Sequence, residues 1–228
     1  MRIFRQLRWL GAAFTVLAVL ACAATAEDTV PIKFRYAFVA FDPTPSGGQL
    51  VPITQDTALT SGDYFKFYIE KDAPCHIYLV YLSAQKDVHL LFPTSFSQKT
   101  PPPEVSVPYY VPHGKHWFRL DTNTGEERFY LLASAERLIV LEDLFTSLAA
   151  ATDDADKDLV RINIQGEIRR MRWENRNFQR AAERPVAIMG QLRGLPGTDM
   201  PPPQKVSDLA TMVSGERFFS KAFTIDHR

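Results

Sequence analysis

The chain has 228 residues with 26 basic and 26 acidic side chains, and 46% of its residues are hydrophobic. Loss of a predicted leader that carries three arginines and no acid would leave a slightly acidic chain, which gives no electrostatic reason to expect nucleic acid or anionic lipid as a partner. A chain of this length buries enough apolar surface to fold without covalent or metal cross-links.

The first 26 residues are predicted to be a signal peptide. Three arginines within the first eight residues precede the apolar run Leu10–Ala23, and Ala24-Thr25-Ala26 provides the small residues that signal peptidase recognises. The apolar run is too short for a transmembrane helix, and we expect no transmembrane span in the mature chain. We therefore expect a periplasmic or secreted protein that begins at Glu27.

A second interpretation places a lipid anchor at Cys22. The sequence Val19-Leu20-Ala21-Cys22 loosely resembles a lipoprotein signal, although leucine at its second position is atypical. Acylation there would tether the protein to a membrane, and this interpretation is the less favoured one. Cleavage after Ala26 would leave Cys75 as the single cysteine, so we expect no intramolecular disulfide and a buried thiol.

The first half of the chain is predicted to consist of strands. Val30–Phe41 alternates between apolar and polar residues, with Lys33 and Arg35 expected to face water. Between Ser61 and Pro93 three runs rich in Tyr, Phe, Val and Ile indicate a β-hairpin that ends at a proline. These runs are Asp63–Glu70, Cys75–Leu82 and Val88–Pro93.

The region after Pro93 is predicted to be a long proline-broken surface loop that includes Pro101–Pro103. A second hairpin follows, with strands at His116–Asp121 and Glu127–Ser134 and a turn at Asn123–Gly125.

From Glu136 the apolar period changes to that of a helix. Leu138, Leu141, Leu144, Phe145 and Leu148 fall at helical spacing. A second helix carries an apolar face formed by Val160, Ile164, Ile168 and Met171, and Pro185 prevents its continuation. Late strands are predicted at Val186–Gly190 and Phe218–Ile225, with a short helix around Val206–Val213.

These elements predict a mainly β (α+β) fold, an antiparallel sandwich-like module with a helical segment between its middle and last strands. We expect a single exported domain over residues 27–228. Its parts are a β module at 30–134, a helical segment at 136–182 and returning strands at 184–226.

Several segments resemble the bacterial family called domain of unknown function 4384, whose members are mostly exported or linked to the envelope. The resembling segments are Leu59-x-Ser61-Gly62-Asp63, Cys75–Leu82, Leu90–Pro93, Pro112, Gly125–Glu127 and Leu131–Ser134. They span roughly residues 55–145. The resemblance implies a compact, mainly β module with no established activity, and it supplies no catalytic or binding residues. Thr94, where the family more often has asparagine, and the long tail after Ala151 depart from the family pattern.

No catalytic motif is present, so we expect no enzyme, no catalytic residues, no metal and no cofactor. Cys75 and His76 are adjacent on a strand and should point to opposite faces, which argues against a thiolate–imidazole pair. His113 and His116 are too few ligands for a metal site. The arginines of the second helix, at 161, 169, 170, 172, 176 and 180, are interpreted as a solvated face.

The candidate binding site is an aromatic patch on the long loop. It comprises Tyr109, Tyr110, Trp117 and Phe118, which form either a recognition surface or a lid on the core. The functional hypothesis is a non-catalytic periplasmic binding or assembly module that contacts an unidentified protein or envelope partner, without nucleic acid. The alternatives are a hydrolytic enzyme whose residues meet only in three dimensions and a lipid-anchored structural protein of the envelope.

Overall fold

The computed structural model describes residues 32–42, 48–96, 104–176, 182–185 and 204–228. The predicted signal peptide, Cys22, Pro101–Pro103 and the predicted strand Val186–Gly190 lie outside these residues. The described elements are β1 Ile32–Asp42, β2 Gln49–Pro52, β3 Thr57–Leu59, β4 Tyr64–Lys71, β5 His76–Leu82, β6 Val88–Phe92, β7 Pro108–Val111, β8 Phe118–Arg119, β9 Gly125–Ser134, α1 Ile139–Ala150, α2 Asp154–Glu174, β10 Ala182–Pro185, α3 Gln204–Ser207, β11 Thr211–Gly215 and β12 Phe218–His227.

The strands form two sheets. The first sheet has the order β10-β11-β1-β4-β7, with β2 paired to β1 and β8 paired to β4. The second sheet has the order β3-β12-β9-β5-β6. The described strand pairs are antiparallel except for β3 with β12, which run parallel. The predicted mainly β, antiparallel fold is confirmed.

The main core lies between the two sheets. Alternate residues of β1, including Ile32, Phe34 and Phe38, point into it, as the alternation in the sequence predicts. From the second sheet, Phe129 and Phe223 meet them, and the Phe38 ring lies 5.0 Å from the Phe129 ring and 5.2 Å from the Phe223 ring. Edge-to-face aromatic contacts of this kind are favourable beyond their buried area.

The outer face of the second sheet is covered by α1 and α2. Ile164, Ile168 and Met171 are buried against the sheet, and Leu141 and Phe145 of α1 join them. The helical spacing recognised in the sequence therefore identified the buried faces of both helices correctly. The Asp153 side chain caps α2 by accepting a hydrogen bond from the Ala155 amide at 2.8 Å.

The outer face of the first sheet is also partly covered. Val39, Phe41 and Tyr68 pack there against Val206 and Ala210, which lie in and just after α3. Lys33 is exposed as expected. The end of β1 that includes Val39 and Phe41 is apolar on both faces, because the residues in and just after α3 cover its outer face. The helix predicted around Val206–Val213 is shorter than expected. The observed α3 ends at Ser207, and Thr211–Gly215 is strand β11.

The two predicted hairpins are confirmed only in part, since β5 and β6 pair with each other but β4 does not pair with β5 and β8 does not pair with β9. Strand β4 pairs with β1 in the first sheet, whereas β5 pairs with β9 and β6 in the second, so the chain changes sheets between them. The chain also changes sheets between β8, which pairs with β4 in the first sheet, and β9, which pairs with β12 in the second. Turn residues predict that the chain reverses direction, but they do not determine which sheet receives the next strand, because both sheets offer an apolar face.

The proline-rich region after Pro93 is not wholly a surface loop. Its last part forms β7, which pairs with β4 along Phe67–Glu70. This pairing places Tyr109 and Tyr110 of the candidate patch in a strand. In the part of the chain that the structure describes, no helix combines the length and the apolar character needed to cross a membrane.

Candidate functional site

The four aromatic residues of the predicted patch lie on both faces of the first sheet. Tyr109 packs against the main core, with its ring 5.4 Å from that of Phe92. Phe118 faces the same core, 5.2 Å from Phe65.

Tyr110 and Trp117 lie on the opposite, outer face. The Tyr110 ring is 5.5 Å from Tyr68, and the Trp117 ring is 6.2 Å from Phe41. All four aromatic side chains are half-buried. The structure therefore divides them between the two faces of the sheet and does not gather them into one exposed surface.

The loop that carries Trp117 is held by a buried lysine. The Lys66 Nζ donates to the carbonyls of Pro112 at 2.7 Å and Gly114 at 3.0 Å, and also to the carbonyl of His116. We call these three acceptors the carbonyl cage. Burial lowers the pKa of Lys66 to about 8. This lysine organises the loop by its hydrogen bonds, and it leaves His113, Lys115 and His116 exposed.

A second group of polar side chains meets at the end of the sandwich where β3 and β12 lie side by side. The Ser61 Oγ lies 3.0 Å from the His227 Nε2, although 166 positions separate the two residues in the chain. The His227 side chain is fully buried, whereas Ser61 is exposed. Ser61 follows β3 and His227 ends β12, so the pairing of these two strands brings the residues together.

Behind His227 lies a buried carboxylate. The Glu127 Oε1 is 3.9 Å from the His227 Nδ1. The other oxygen of Glu127 accepts hydrogen bonds from the Tyr81 hydroxyl at 2.6 Å and the Ala84 amide at 3.2 Å. Burial, followed by the hydrogen bond to Glu127, raises the pKa of Tyr81, so that this hydroxyl remains a donor. We call Ser61, His227 and Glu127 the nucleophile cluster.

The backbone at Ser61 is fixed by the surrounding strands. The Ser61 amide donates to the Arg228 carbonyl at 3.2 Å, and the Gly62 amide donates to the Leu120 carbonyl at 2.9 Å. Gly62 has a φ of 98°, a conformation in which a side chain would be strained. The Arg119 Nε donates to the Gly62 carbonyl at 3.4 Å, which places a guanidinium group beside the turn.

Sequence reasoning did not find the nucleophile cluster. Ser61 and Glu127 both lie in segments that carried the family resemblance, but His227 lies far outside them. No local spacing links the three residues, because their proximity depends on the parallel pairing of β3 with β12 and on the adjacent position of β9.

Other residues considered in the sequence remain apart. Cys75 is buried in the main core, as expected, and burial raises the pKa of its thiol to about 11. His76 belongs to the second sheet and is half-buried. Within the ranges that the structure describes, no three His, Cys, Asp or Glu side chains are grouped to hold a metal ion.

A third feature is an apolar line on the solvent side of α2. Leu159, Ile162 and Trp173 expose 58%, 61% and 68% of their surface, on the side of the helix opposite to the buried Ile164 and Ile168. Gly166 and Arg169 occupy the intervening positions of the same line. We call these five residues the α2 outer stripe: Leu159, Ile162, Gly166, Arg169 and Trp173.

The arginines of α2 have several partners and do not form one solvated face. Arg161 bonds to Asp87 at 2.8 Å, which ties the helix to the second sheet. Arg170 pairs with Glu167, and the Arg176 guanidinium lies 4.1 Å from the centre of the Trp173 ring. Arg180 lies outside the described residues.

The central part of the chain is recognised by a family model. Residues 58–137 match the model described as domain of unknown function (DUF4384). The resemblance predicted over about residues 55–145 is thereby confirmed. No curated protein and no solved structure matches the chain.

The DUF4384 stretch is not a complete sandwich. It contains β4 to β9 but lacks β1, which lies between β4 and β11 in the first sheet. It also lacks β12, the strand that carries His227 and pairs with β9. Two of the three residues of the nucleophile cluster lie inside the DUF4384 stretch, whereas the whole α2 outer stripe lies outside it.

Proposed function

We propose that the chain is an assembly module of the cell envelope that pairs with a second copy of itself through the α2 outer stripe. The observation that supports this role is the exposure of Leu159, Ile162 and Trp173 on the side of α2 that faces away from the sheet. A helix on the surface of a monomer normally presents polar residues on that side. The five positions of the stripe alternate in steps of three and four residues, the spacing of the contact line between paired helices, and three of them carry large apolar side chains.

The charges along α2 favour a second copy in antiparallel orientation. Residues 153–163 contain four acids and two bases, whereas residues 164–176 contain four arginines and two glutamates. An antiparallel pair related by a twofold axis places the acidic half of each helix beside the basic half of the other. In this arrangement Asp158 of one copy faces Arg176 of the other, and Trp173 faces Leu159.

The middle of the stripe permits close approach of two helices. Gly166 lies at the centre of the antiparallel arrangement, and a Cβ placed there would meet only the Arg169 side chain, at 4.0 Å. Because glycine has no side chain, two backbones can approach each other at such a position.

Export is part of the proposal. It is supported by the basic start, the apolar run Leu10–Ala23 and the small residues at Ala24–Ala26. We propose a periplasmic or secreted location, with Glu27 as the first residue of the mature protein. Sequencing the N-terminus of protein from the periplasmic fraction tests this part, and an acylated Cys22 or a retained Met1 contradicts it.

The pairing is tested by the molar mass of the mature protein over a concentration series, measured by light scattering after size exclusion. We expect a dimer whose fraction rises with concentration. Ile162→Glu should convert it to a monomer, because a charge enters the apolar contact. Asn163→Glu is the matched control, since Asn163 is exposed beside the stripe and receives the same charge.

A charge exchange identifies the partner as a second copy. Asp158→Arg and Arg176→Asp should each weaken the dimer, and the two changes together should restore it because both ends of the helix are then reversed. A mature protein that is monomeric at every concentration overturns self-pairing. If that monomer binds lipid vesicles in a way that Ile162→Glu abolishes, the stripe contacts an envelope surface instead.

A further inference from the structure

We propose that the nucleophile cluster is a second functional site, in which Ser61 attacks carboxylic esters with His227 as its general base. This inference is independent of the proposed pairing, because the cluster lies at the β3–β12 end of the sandwich and shares no residue with α2. The proposal names the residues that would act in the hydrolytic enzyme that the sequence left open as an alternative.

The polar groups around His227 favour one direction of proton transfer. The Tyr81 hydroxyl and the Ala84 amide both donate to one oxygen of Glu127, which holds this carboxyl group in place. The remaining oxygen lies 3.9 Å from the His227 Nδ1, which is longer than a hydrogen bond, and this buried nitrogen has no hydrogen-bond partner among the described residues. We place the proton of a neutral imidazole on Nδ1, because the nearby carboxylate favours a proton on that side. The Nε2 is then an acceptor, and the Ser61 hydroxyl donates to it over 3.0 Å. This is the relation between nucleophile and base that acyl transfer requires.

Burial and exposure are distributed as such a site requires. His227 and Glu127 are buried, with side-chain exposures of 0% and 4%, and are therefore held in place by packing. Ser61 is exposed, so an ester can reach its Oγ from solvent. Asp121, in the segment between β8 and β9, is a further charged group that interacts electrostatically with His227.

The surroundings of Ser61 limit the class of substrate. Its own amide and that of Gly62 are engaged with backbone carbonyls, so neither is available to bind an oxyanion. The Arg119 guanidinium contacts the Gly62 carbonyl at 3.4 Å and is a positively charged group beside the turn, one residue from Ser61. We therefore assign the site to esters with good leaving groups, such as aryl esters, which need less oxyanion stabilisation than amides.

The reaction balances with water as the only co-reactant. The Ser61 Oγ bonds to the carbonyl carbon while its proton passes to the His227 Nε2. The bond from that carbon to the leaving oxygen then breaks, and His227 returns the proton to this oxygen, which leaves an acyl-serine. Water, deprotonated by His227, attacks the acyl group, the Ser61 Oγ regains the proton and a carboxylic acid departs.

A fluorophosphonate probe and 4-nitrophenyl acetate test the proposal on the mature protein. We expect the probe to label Ser61, as located by mass spectrometry of peptides, and Ser61→Ala to abolish both labelling and ester hydrolysis. His227→Gln should lower the labelling rate by on the order of 100-fold. Glu127 is a positioning residue, so Glu127→Gln should change the pH profile of labelling relative to that of the wild-type protein.

Because His227 and Glu127 are buried, their variants can unfold, and a second measurement avoids this problem. Ser61→Cys should be alkylated by iodoacetamide at mildly acidic pH at least about tenfold faster than Ser147→Cys, since an adjacent imidazolium stabilises a thiolate. Ser147 is exposed on α1 and bonds only to the Asp143 carbonyl, and the buried Cys75 contributes little background. Wild-type protein that is labelled no faster than Ser61→Ala, or equal alkylation of the two cysteine variants, overturns the proposal.

Discussion

Lys66 shows how one side chain can organise a loop that the sequence leaves undefined. It is fully buried, and its carbonyl cage joins Pro112, Gly114 and His116 to the centre of β4. In the sequence this lysine stands between aromatic residues of a predicted strand, and its charge alone would lead one to expect it on the side that faces water. Its burial follows from the loop that folds over it, because the three carbonyls replace the water that the ammonium loses.

The depressed pKa of Lys66 predicts a stability that rises in alkaline solution. Burial lowers the pKa from 10.5 to about 8, so between these values the unfolded chain binds a proton that the folded chain has already lost. Folding is therefore penalised at pH 7 by the buried charge, and the penalty disappears as the pH rises through this window. Relative to Lys66→Met, wild-type protein should gain on the order of 1–3 kcal/mol in unfolding free energy between pH 7 and pH 10.5.

Denaturant unfolding of both proteins at several pH values measures this gain. Lys115→Met is the control, because Lys115 lies in the same loop but is exposed. A difference between wild-type protein and Lys66→Met that does not change with pH would show that the carbonyl cage compensates fully for burial.

At the scale of the element, α2 has two apolar faces with different roles. Ile164 is fully buried against the second sheet, whereas Ile162, two positions earlier, is 61% exposed. One face contributes to folding, and the other is available for a partner. The first face is evident in the sequence because its four residues follow one helical stripe. The second is not, because Gly166 and Arg169 interrupt it.

The same substitution at these two positions should separate the roles. Ile164→Asp should lower the free energy of unfolding by roughly 3 kcal/mol or more, because a carboxylate is forced into an apolar site. Ile162→Asp should change it by no more than about 0.5 kcal/mol, as is usual for surface positions. Thermal and denaturant unfolding at concentrations where the protein is monomeric measure both. An unchanged midpoint for Ile164→Asp would mean that α2 does not dock on the sheet.

At the scale of the whole molecule, the DUF4384 stretch depends on strands that lie outside it. Strand β1 separates β4 from β11 and supplies Ile32, Phe34 and Phe38 to the main core. Strand β12 occupies the position next to β9 and supplies Phe219, Phe223 and Ile225. Without these two strands, both sheets lose a neighbour and the core loses much of its aromatic packing.

We therefore predict that a fragment limited to residues 58–137 does not fold by itself. Circular dichroism and amide proton dispersion should show an unfolded fragment, whereas residues 27–228 should melt cooperatively. The reason is that an apolar core face without its neighbouring strands cannot offset the conformational entropy of folding. A cooperative thermal transition of the fragment would contradict this prediction and would make the DUF4384 stretch an autonomous domain.

Local patterns were sufficient to identify most elements. The alternation of Ile32, Phe34, Tyr36 and Phe38 and the helical spacing of Val160, Ile164, Ile168 and Met171 located a strand and a helix together with their buried faces. The Cys75–Leu82 run was apolar enough to predict a core strand, and Cys75 is indeed buried. These features depend on neighbours within one or two turns of the chain, which is why the sequence alone determines them.

The partners of the elements were decided only by the tertiary structure. The alternation of apolar residues within one strand shows which of its side chains face a core. Nothing in the sequences of β4 and β5, however, specifies that these two strands belong to different sheets. The same limit applies to the candidate sites. Tyr109 and Tyr110 are adjacent in the sequence and lie on opposite faces of a sheet, whereas Ser61 and His227 are 166 positions apart and lie 3.0 Å from each other. Such proximity results from long-range strand pairing, which minimises the exposed apolar surface of the whole chain and leaves no local pattern.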